Sequence, residues 1–215
     1  MKNITGCVKP EVRDTAGQAQ LIQRLAHDLR QPLSSIECIG YYLEMVLGNQ
    51  QPELQQQCEM LRRMVQQAHW LLEDASLAVS VQGAACGPLS LTAVLKRLDA
   101  EMVLHDQRSL VLRMDENVVA TAPVAETACF CGHVVTYFRN VALAEDPILV
   151  TVVVGDDVRL EFSAEVTAEP DDLTRMMDPP QGGGLRRFAE VAGGQMSARM
   201  SGRQLTLTLW LPGGE

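Results

Sequence analysis

A histidine beside a carboxylate, with a proline five residues later, is the first group in this chain that could do chemistry. The stretch reads LAHDLRQPL and covers residues 25–33. A neutral imidazole can act as a nucleophile, so His27 could serve in that role, and the adjacent Asp28 can accept a proton or orient the ring. Pro32 interrupts a helical pattern, where a proline costs about 3 kcal/mol. The stretch is therefore a candidate functional site.

Apolar residues recur every seven positions on both sides of His27 and predict a helix from about Ala16 to the stop signals at 48–52. The two series are Ile22, Leu29, Ile36 and Leu43, and Leu25, Pro32, Ile39 and Val46. Helices with this spacing pack along a common seam. His27 lies two residues past a seam position, so the pattern predicts that it points outward.

A second heptad helix follows. Its two series are Cys58, Val65, Leu72 and Val79, and Leu54, Leu61, Ala68 and Ala75. Two such helices joined by a short loop must lie antiparallel. One hairpin cannot cover both of its apolar stripes, so we expect a homodimer whose hairpins form a four-helix bundle. We place this dimerisation domain at residues 16–82, after a flexible lead-in at residues 1–15.

Helix and strand patterns mix after a small-residue linker at 81–88, and we place a second domain at 88–215. Predicted helices run from Ser90, as a cap, to about Leu104, and over 123–142 and 184–192. Predicted strands cover 109–114, 118–120, 148–154, 158–166, 195–200 and 204–211. The pattern favours an α+β fold, in which a helical layer packs on one face of a mostly antiparallel sheet.

Composition excludes several classes of partner. The net charge of −9 argues against nucleic acid. The start of the chain lacks the apolar core of a signal peptide, and the longest apolar run, 148–154, is too short to span a membrane. We therefore expect a cytoplasmic protein with no membrane partner and with its six cysteines reduced. The Cys129-Phe130-Cys131-Gly132-His133 cluster lacks a second ligand pair and fits a buried helix start, so no metal site is predicted.

The residues from His27 to Leu33, a histidine, an acid and then Leu-Arg-x-Pro-Leu, resemble the phosphoacceptor box of two-component sensor histidine kinases. The hairpin resembles that family's dimerisation and histidine-phosphotransfer domain, and the second domain is similar in element order to its ATP-binding domain, an α/β sandwich. The resemblance implies that His27 and Asp28 are the catalytic residues. It also implies that Arg30 and Gln31 contact the phosphoryl group or the partner.

The family's nucleotide motifs are reduced here. Asn140 stands where the family's asparagine holds Mg²⁺, but Thr136 replaces the preceding asparagine. Residues 163–166 lack the aspartate that reads the adenine amino group and the glycines that accompany it. The last glycine box is reduced to Gly182, Gly183 and Gly184, which could cradle a phosphate at a helix start. We therefore expect ATP binding to be weak or lost.

Three functions remain open from the sequence. The first is histidine phosphotransfer through His27 to and from aspartates of response-regulator receiver domains, with Mg²⁺ supplied by the receiver. The second is an ATP-dependent histidine kinase, with divergent boxes or excised from a larger protein, that binds ATP and Mg²⁺ through Asn140 and the glycines. The third is a catalytically silent dimeric adaptor that binds a kinase or a response regulator.

Overall fold

The structure, a computed structural model, describes residues 15–47, 52–106, 110–143, 146–166 and 183–214. The helices are α1 (Thr15–Leu47), α2 (Pro52–Ser80), α3 (Leu91–Asp106), α4 (Glu126–Val141) and α5 (Gly183–Val191). The strands are β1 (Cys86–Ser90), β2 (Leu110–Arg113), β3 (Val119–Pro123), β4 (Ile148–Val154), β5 (Asp157–Glu165), β6 (Gln195–Ser201) and β7 (Gln204–Pro212). The predicted lead-in before Thr15, and Gly182, lie outside the described residues.

The first two helices form the predicted antiparallel hairpin. Near the connection, Nη1 of Arg62 lies 2.8 Å from Oε2 of Glu44. At the other end, Arg30 of α1 and Ser80 of α2 line one cavity. Pro32 lies inside α1, which is helical on both sides of it. Because proline has no N–H, the carbonyl of Asp28, one turn earlier, loses its helical donor.

The heptad residues of α1 are mostly uncovered within one chain. Leu25, Leu29 and Ile39 are 49%, 46% and 57% exposed. The side of α1 that faces α2 carries small buried residues instead, Ala26 and Gly40. The predicted seam of α1 is therefore largely uncovered within one chain, whereas Cys58, Val65 and Val79 of the predicted seam of α2 are buried. Small residues on the adjoining face of α1 let the two helices approach closely.

Five strands form one sheet in the order β2-β4-β5-β7-β6, and β1 and β3 form a separate pair. The pairing of β2 with β4 is parallel, and the other pairings are antiparallel. The linker predicted at 81–88 is wrong over its last three residues, since β1 begins at Cys86 and pairs there with Pro123. The predicted start of α4 at 123 is also wrong, because Pro123 ends β3 and α4 begins at Glu126.

The core lies between the helical layer and one face of the sheet. Leu205, Leu207, Leu209 and Leu211 of β7 are all at most 1% exposed, as their alternation predicts. From the helices, Phe130 of α4 stacks on Phe188 of α5, with ring centroids 4.4 Å apart. The predicted cap of α3 is present, since the amide of Ala93 donates to Oγ of Ser90 at 3.2 Å. The α+β class is thereby confirmed.

None of the described helices combines the length and the apolar character that crossing a membrane requires.

Candidate functional site

His27 projects from α1 into solvent, with 84% of its side chain exposed. His27 therefore points outward as predicted, although the seam residue Leu25 from which its position was inferred is itself about half exposed within one chain. Nδ1 lies 3.3 Å from Oδ1 of Asp28, whose side chain is 66% exposed. When Nδ1 carries the proton it donates to Asp28, and the lone pair then remains on Nε2. The pair can therefore present a neutral, reachable nitrogen nucleophile.

Arg30 and Gln31 lie with His27 along one open groove on α1, which continues through Ser34, Ser35, Cys38 and Ile39. The structure thus places three of the four residues of the predicted phosphoacceptor site along this groove, and Asp28 joins them through its contact with His27. The hydroxyl of Ser35 donates to the carbonyl of Gln31 at 3.1 Å. Three of the four side chains beyond Gln31 are small (Ser34, Ser35 and Cys38), so a large partner can approach the imidazole closely.

A second polar cluster lies at the N-terminus of α5, where the sequence places two of the candidate phosphate-binding glycines. Oδ1 of Asp74, from α2, accepts hydrogen bonds from the amides of Gly184 and Leu185 at 3.0 and 3.2 Å. Asp74 is only 4% exposed. The first amides of a helix have no partner inside the helix and attract negative charge. Asp74 supplies both the acceptor and the charge.

His133 of α4 completes this cluster. Its Nδ1 lies 3.1 Å from Oε2 of Glu73, and its Nε2 lies 3.9 Å from Oδ1 of Asp74. The ring of Trp70 stacks on His133 with a centroid distance of 5.1 Å. Nε2 of His133 is buried and has no hydrogen-bond partner among the described residues. Within about one turn of α2, Trp70 and Glu73 thus contact His133 of α4, and Asp74 contacts the N-terminus of α5.

The two adjacent carboxyls of α2 have pKa values shifted in opposite directions. Burial raises the pKa of Asp74 above its usual value, although the amides of α5 and the charge of His133 oppose the shift. Burial also acts to raise the pKa of Glu73, but its hydrogen bond with His133 and the nearby positive charges outweigh it. The pKa of Glu73 is therefore lowered.

Of the other predicted nucleotide residues, Asn140 and the segment 163–165 are not brought to this cluster, whereas Gly183 belongs to it. Asn140 is exposed near the end of α4 and makes no side-chain hydrogen bond within the described chain. Residues 163–165, where the family has its aspartate and glycines, belong to β5 and pair with β7. Gly183 begins α5, and a side chain there would come no closer than 4.0 Å to Asp74.

A cavity of about 540 Å³ separates the hairpin from the helical layer. Arg30 of α1, Leu77 of α2, Met102 of α3 and Thr136 of α4 are among the residues that line it. Thr136 stands at the family's first asparagine position. The hairpin therefore faces the side of α4 on which Thr136 lies.

The cysteines of α4 do not form a cluster. Cys129 is exposed, while Cys131 is fully buried and burial raises the pKa of its thiol to about 12. A neutral thiol is a poor metal ligand. Among the described residues, no group of three or more His, Cys, Asp or Glu side chains is placed to hold a metal ion.

The sequence analysis missed Asp74, His133 and Trp70. The sequence did carry a signal for Asp74, which falls in a series with the apolar residues Trp70, Leu77 and Val81 at helical spacing. The structure buries all four residues. A charged residue inside such a stripe needs a buried partner. The partner, however, lies 110 residues further along the chain, where local periodicity does not reach.

Neither a family model nor a curated protein sequence matches the chain. Solved structures do resemble it. Full-length ShkA in complex with AMPPNP superposes with a TM-score of 0.54 at 14% identity, over 92% of this chain and 47% of ShkA. The Acinetobacter baumannii histidine kinase AdeS gives 0.54 at 16% identity, over 88% of this chain and 98% of AdeS.

The catalytic domain of the histidine kinase ThkA superposes with a TM-score of 0.51 at 12% identity, over 60% of this chain and 97% of that domain. This chain spans about half the length of ShkA but nearly all of the AdeS and ThkA structures. The chain therefore has the histidine-kinase fold.

Proposed function

We propose that this chain, which has the histidine-kinase fold, is a two-component signalling protein that transfers phosphoryl groups between His27 and receiver-domain aspartates of response regulators. The observation that carries the proposal is the imidazole of His27, 84% exposed and paired with Asp28 within the phosphoacceptor box. A histidine held outward on a long helix is reachable by a second protein, and phosphoryl transfer demands chiefly correct positioning and charge stabilisation.

The transfer itself needs few groups from this chain. Nε2 of His27 attacks the phosphorus of the receiver's aspartyl phosphate, a P–N bond forms, and the P–O bond to the aspartate breaks. The aspartate leaves as a carboxylate, and the proton on Nδ1 stays hydrogen-bonded to Asp28. The receiver's own Mg²⁺ stabilises the charge on the transferring group. Transfer to a second receiver reverses these steps.

Arg30 and the groove beyond it support docking of a receiver domain. Arg30 lies within the groove that contains His27, and its guanidinium can interact with phosphoryl or carboxylate oxygens. Gln31, one turn after His27, would contact the same group or the receiver's backbone. Ser34 and Cys38 are exposed and small, so they leave room for the partner.

The uncovered apolar stripes of the hairpin support homodimerisation. On α1, Leu25 and Leu29 are about half exposed, and on α2, Met60 and Met64 are 57% and 52% exposed. Apolar patches of this kind mark interaction surfaces. A second copy would cover both stripes and close a four-helix bundle, which leaves His27 on the outer surface.

The occupied end of α5 supports weak or lost ATP binding. A phosphate at Gly184 and Leu185 would compete for amides that already donate to Asp74. The carboxylate would also repel it. An ATP-dependent kinase is the second candidate, since the fold is shared with ShkA, which was solved with AMPPNP. In that case Asn140 and the glycines would hold Mg²⁺ and ATP after Asp74 moves away.

The test separates the two phosphoryl donors. Wild type and His27→Gln are incubated with labelled ATP and, separately, with a phosphorylated receiver domain. We expect label on the wild type only from the receiver, and none on His27→Gln. His69→Gln, a change of a half-buried histidine on α2, is the matched control and should behave as the wild type.

Other outcomes have definite meanings. Labelling of His27 from ATP supports the kinase candidate. Equal loss of phosphate from the receiver with wild type and His27→Gln contradicts both transfer functions. Binding to the receiver without any labelling would then indicate a silent adaptor.

A further inference from the structure

We propose that Asp74 is a built-in anion ligand, a latch that fastens the helical hairpin to α5 and excludes phosphate from the amides at its N-terminus. The latch is separate from phosphotransfer through His27 and does not depend on it. It consists of Asp74 together with the amides of Gly184 and Leu185, and His133 is its neighbour on α4.

Hydrogen bonding and burial carry the first step. Both amides point at one carboxylate oxygen, at 3.0 and 3.2 Å, and the residue is 4% exposed. These donors have no helical partner, so they would otherwise attract water or an anion. A carboxylate fixed on another helix meets that need without a free ligand. The contact therefore joins α2 to α5 and fills the anion position at once.

Close packing at Gly184 is an independent observation. A Cβ atom there would overlap the carbonyl oxygen of Asp74 and lie 2.7 Å from its Oδ1. At Gly183, a Cβ atom would meet only Oδ2 of Asp74, at 4.0 Å. The glycine at 184 is thus required by the approach of α2 itself, so the end of α5 is shaped to receive the hairpin.

The buried ring of His133 lies beside the latch. Nε2 is buried, has no hydrogen bond among the described residues, and lies 3.9 Å from Oδ1 of Asp74. If the carboxylate is removed, this nitrogen and two backbone amides surround an empty, polar position. The two amides suit the oxygens of a phosphate group. Because Nδ1 of His133 donates to Glu73, Nε2 adds a third donor when the ring carries both protons. The latch therefore covers a latent phosphate site.

The first experiment titrates inorganic phosphate and AMPPNP, in separate samples, against the full chain and follows the amide NMR signals of Gly184 and Leu185. We expect no saturable shift in the wild type and a saturable shift in Asp74→Ala. Asp74→Asn keeps an oxygen acceptor of the same shape, and asparagine caps helices well, so it should resemble the wild type. Equal affinity for phosphate in wild type and Asp74→Ala would overturn the proposal.

The second experiment compares Gly184→Ala with its matched control, Gly183→Ala, by hydrogen exchange at the amide of Leu185. Loss of a helix cap should make exchange roughly fivefold to tenfold faster in Gly184→Ala and in Asp74→Ala. Gly183→Ala should change it little. If Asp74→Ala does not fold, this pair decides alone, and equal exchange in the two glycine variants contradicts the latch.

The latch and the transfer function fail separately. Both experiments are repeated with His27→Gln, which removes the phosphoacceptor and leaves Asp74 and α5 unchanged. If the latch is present in both proteins and the wild type, with His27 intact, takes no phosphate from a receiver, the transfer proposal alone is contradicted.

Discussion

At the scale of single residues, two carboxylates of the hairpin have opposite surroundings. Asp28 is 66% exposed beside His27, while Asp74 is buried against the end of α5. In water, a carboxylate can hold a proton on an imidazole at little cost. In the interior, it must be compensated by donors, which the amides of Gly184 and Leu185 provide.

Asp28→Asn should slow phosphotransfer. The amide keeps the shape of the side chain but loses the charge that holds the proton on Nδ1 of His27, so Nε2 is less often the free nucleophile. Because the pair is exposed, we expect a loss of roughly tenfold, at or below the low end of the usual range for such catalysis. Rapid-quench transfer from a phosphorylated receiver measures the rate. An unchanged rate would remove Asp28 from the mechanism.

Asp74→Asn should change how stability depends on pH. The folded state raises the pKa of Asp74, so just above the usual pKa of aspartate the folded chain holds a proton that the unfolded chain has released. Stability of the wild type relative to Asp74→Asn therefore falls as the pH rises through that window and is constant above it. Glu73 is present in both proteins and its opposite effect cancels to first order.

Urea unfolding of both proteins from about pH 4 to about pH 7 measures this difference. A difference that grows in favour of the wild type with rising pH would show that the amides and His133 outweigh burial. That result would reverse the direction assigned to the pKa of Asp74.

At the scale of elements, α1 and α2 each have one side packed within the chain and one side uncovered. The small residues Ala26 and Gly40 are buried, while the heptad leucines of α1 remain about half exposed. Exposed apolar stripes of this kind mark an interaction surface. The uncovered sides of α1 and α2 are therefore suited to pack against another apolar helical surface.

Met64→Glu should convert the proposed homodimer to a monomer. Met64 is 52% exposed on the uncovered stripe of α2, and a charge there would be buried without a partner in a four-helix bundle. Gln55→Glu, at an exposed position on another side of the same helix, is the control. Sedimentation or light scattering gives the mass, and a Met64→Glu protein that remains dimeric would contradict this bundle.

Pro32→Ala should stabilise the hairpin. Alanine restores the amide that the carbonyl of Asp28 lacks and removes the clash of the proline ring, so the free energy of unfolding should rise by up to about 3 kcal/mol. Pro88→Ala, at an exposed position of β1, should have little effect. Thermal unfolding of the three proteins measures the change. No gain in Pro32→Ala would mean that α1 already accommodates the proline by bending.

At the scale of the whole molecule, the two helices of the hairpin have different roles. α1 presents His27 to solvent, and α2 places Asp74 on the glycine end of α5. The groups that would handle phosphoryl transfer are therefore exposed, while the amides that would bind a nucleotide phosphate are covered. This division favours a protein partner over ATP as the phosphoryl donor in our proposal.

Much of the architecture could be predicted because it depends on local patterns. The heptads predicted both long helices and the outward position of His27, and the alternation in β7 predicted its buried leucines. These features arise from the 3.6-residue and two-residue periods of helix and strand, which any stretch of chain carries by itself. The predicted roles of Arg30, Gln31 and the glycines remain predictions.

Only the tertiary structure decided how distant segments meet. Asp74 caps a helix 110 residues away, and β1, which looked like a linker of small residues, became a strand by pairing with β3. Such contacts depend on the packing of whole elements, and neither partner carries a local pattern that names the other. The sequence by itself therefore determined where the candidate nucleophile lies, and the fold decided what occupies the candidate phosphate site.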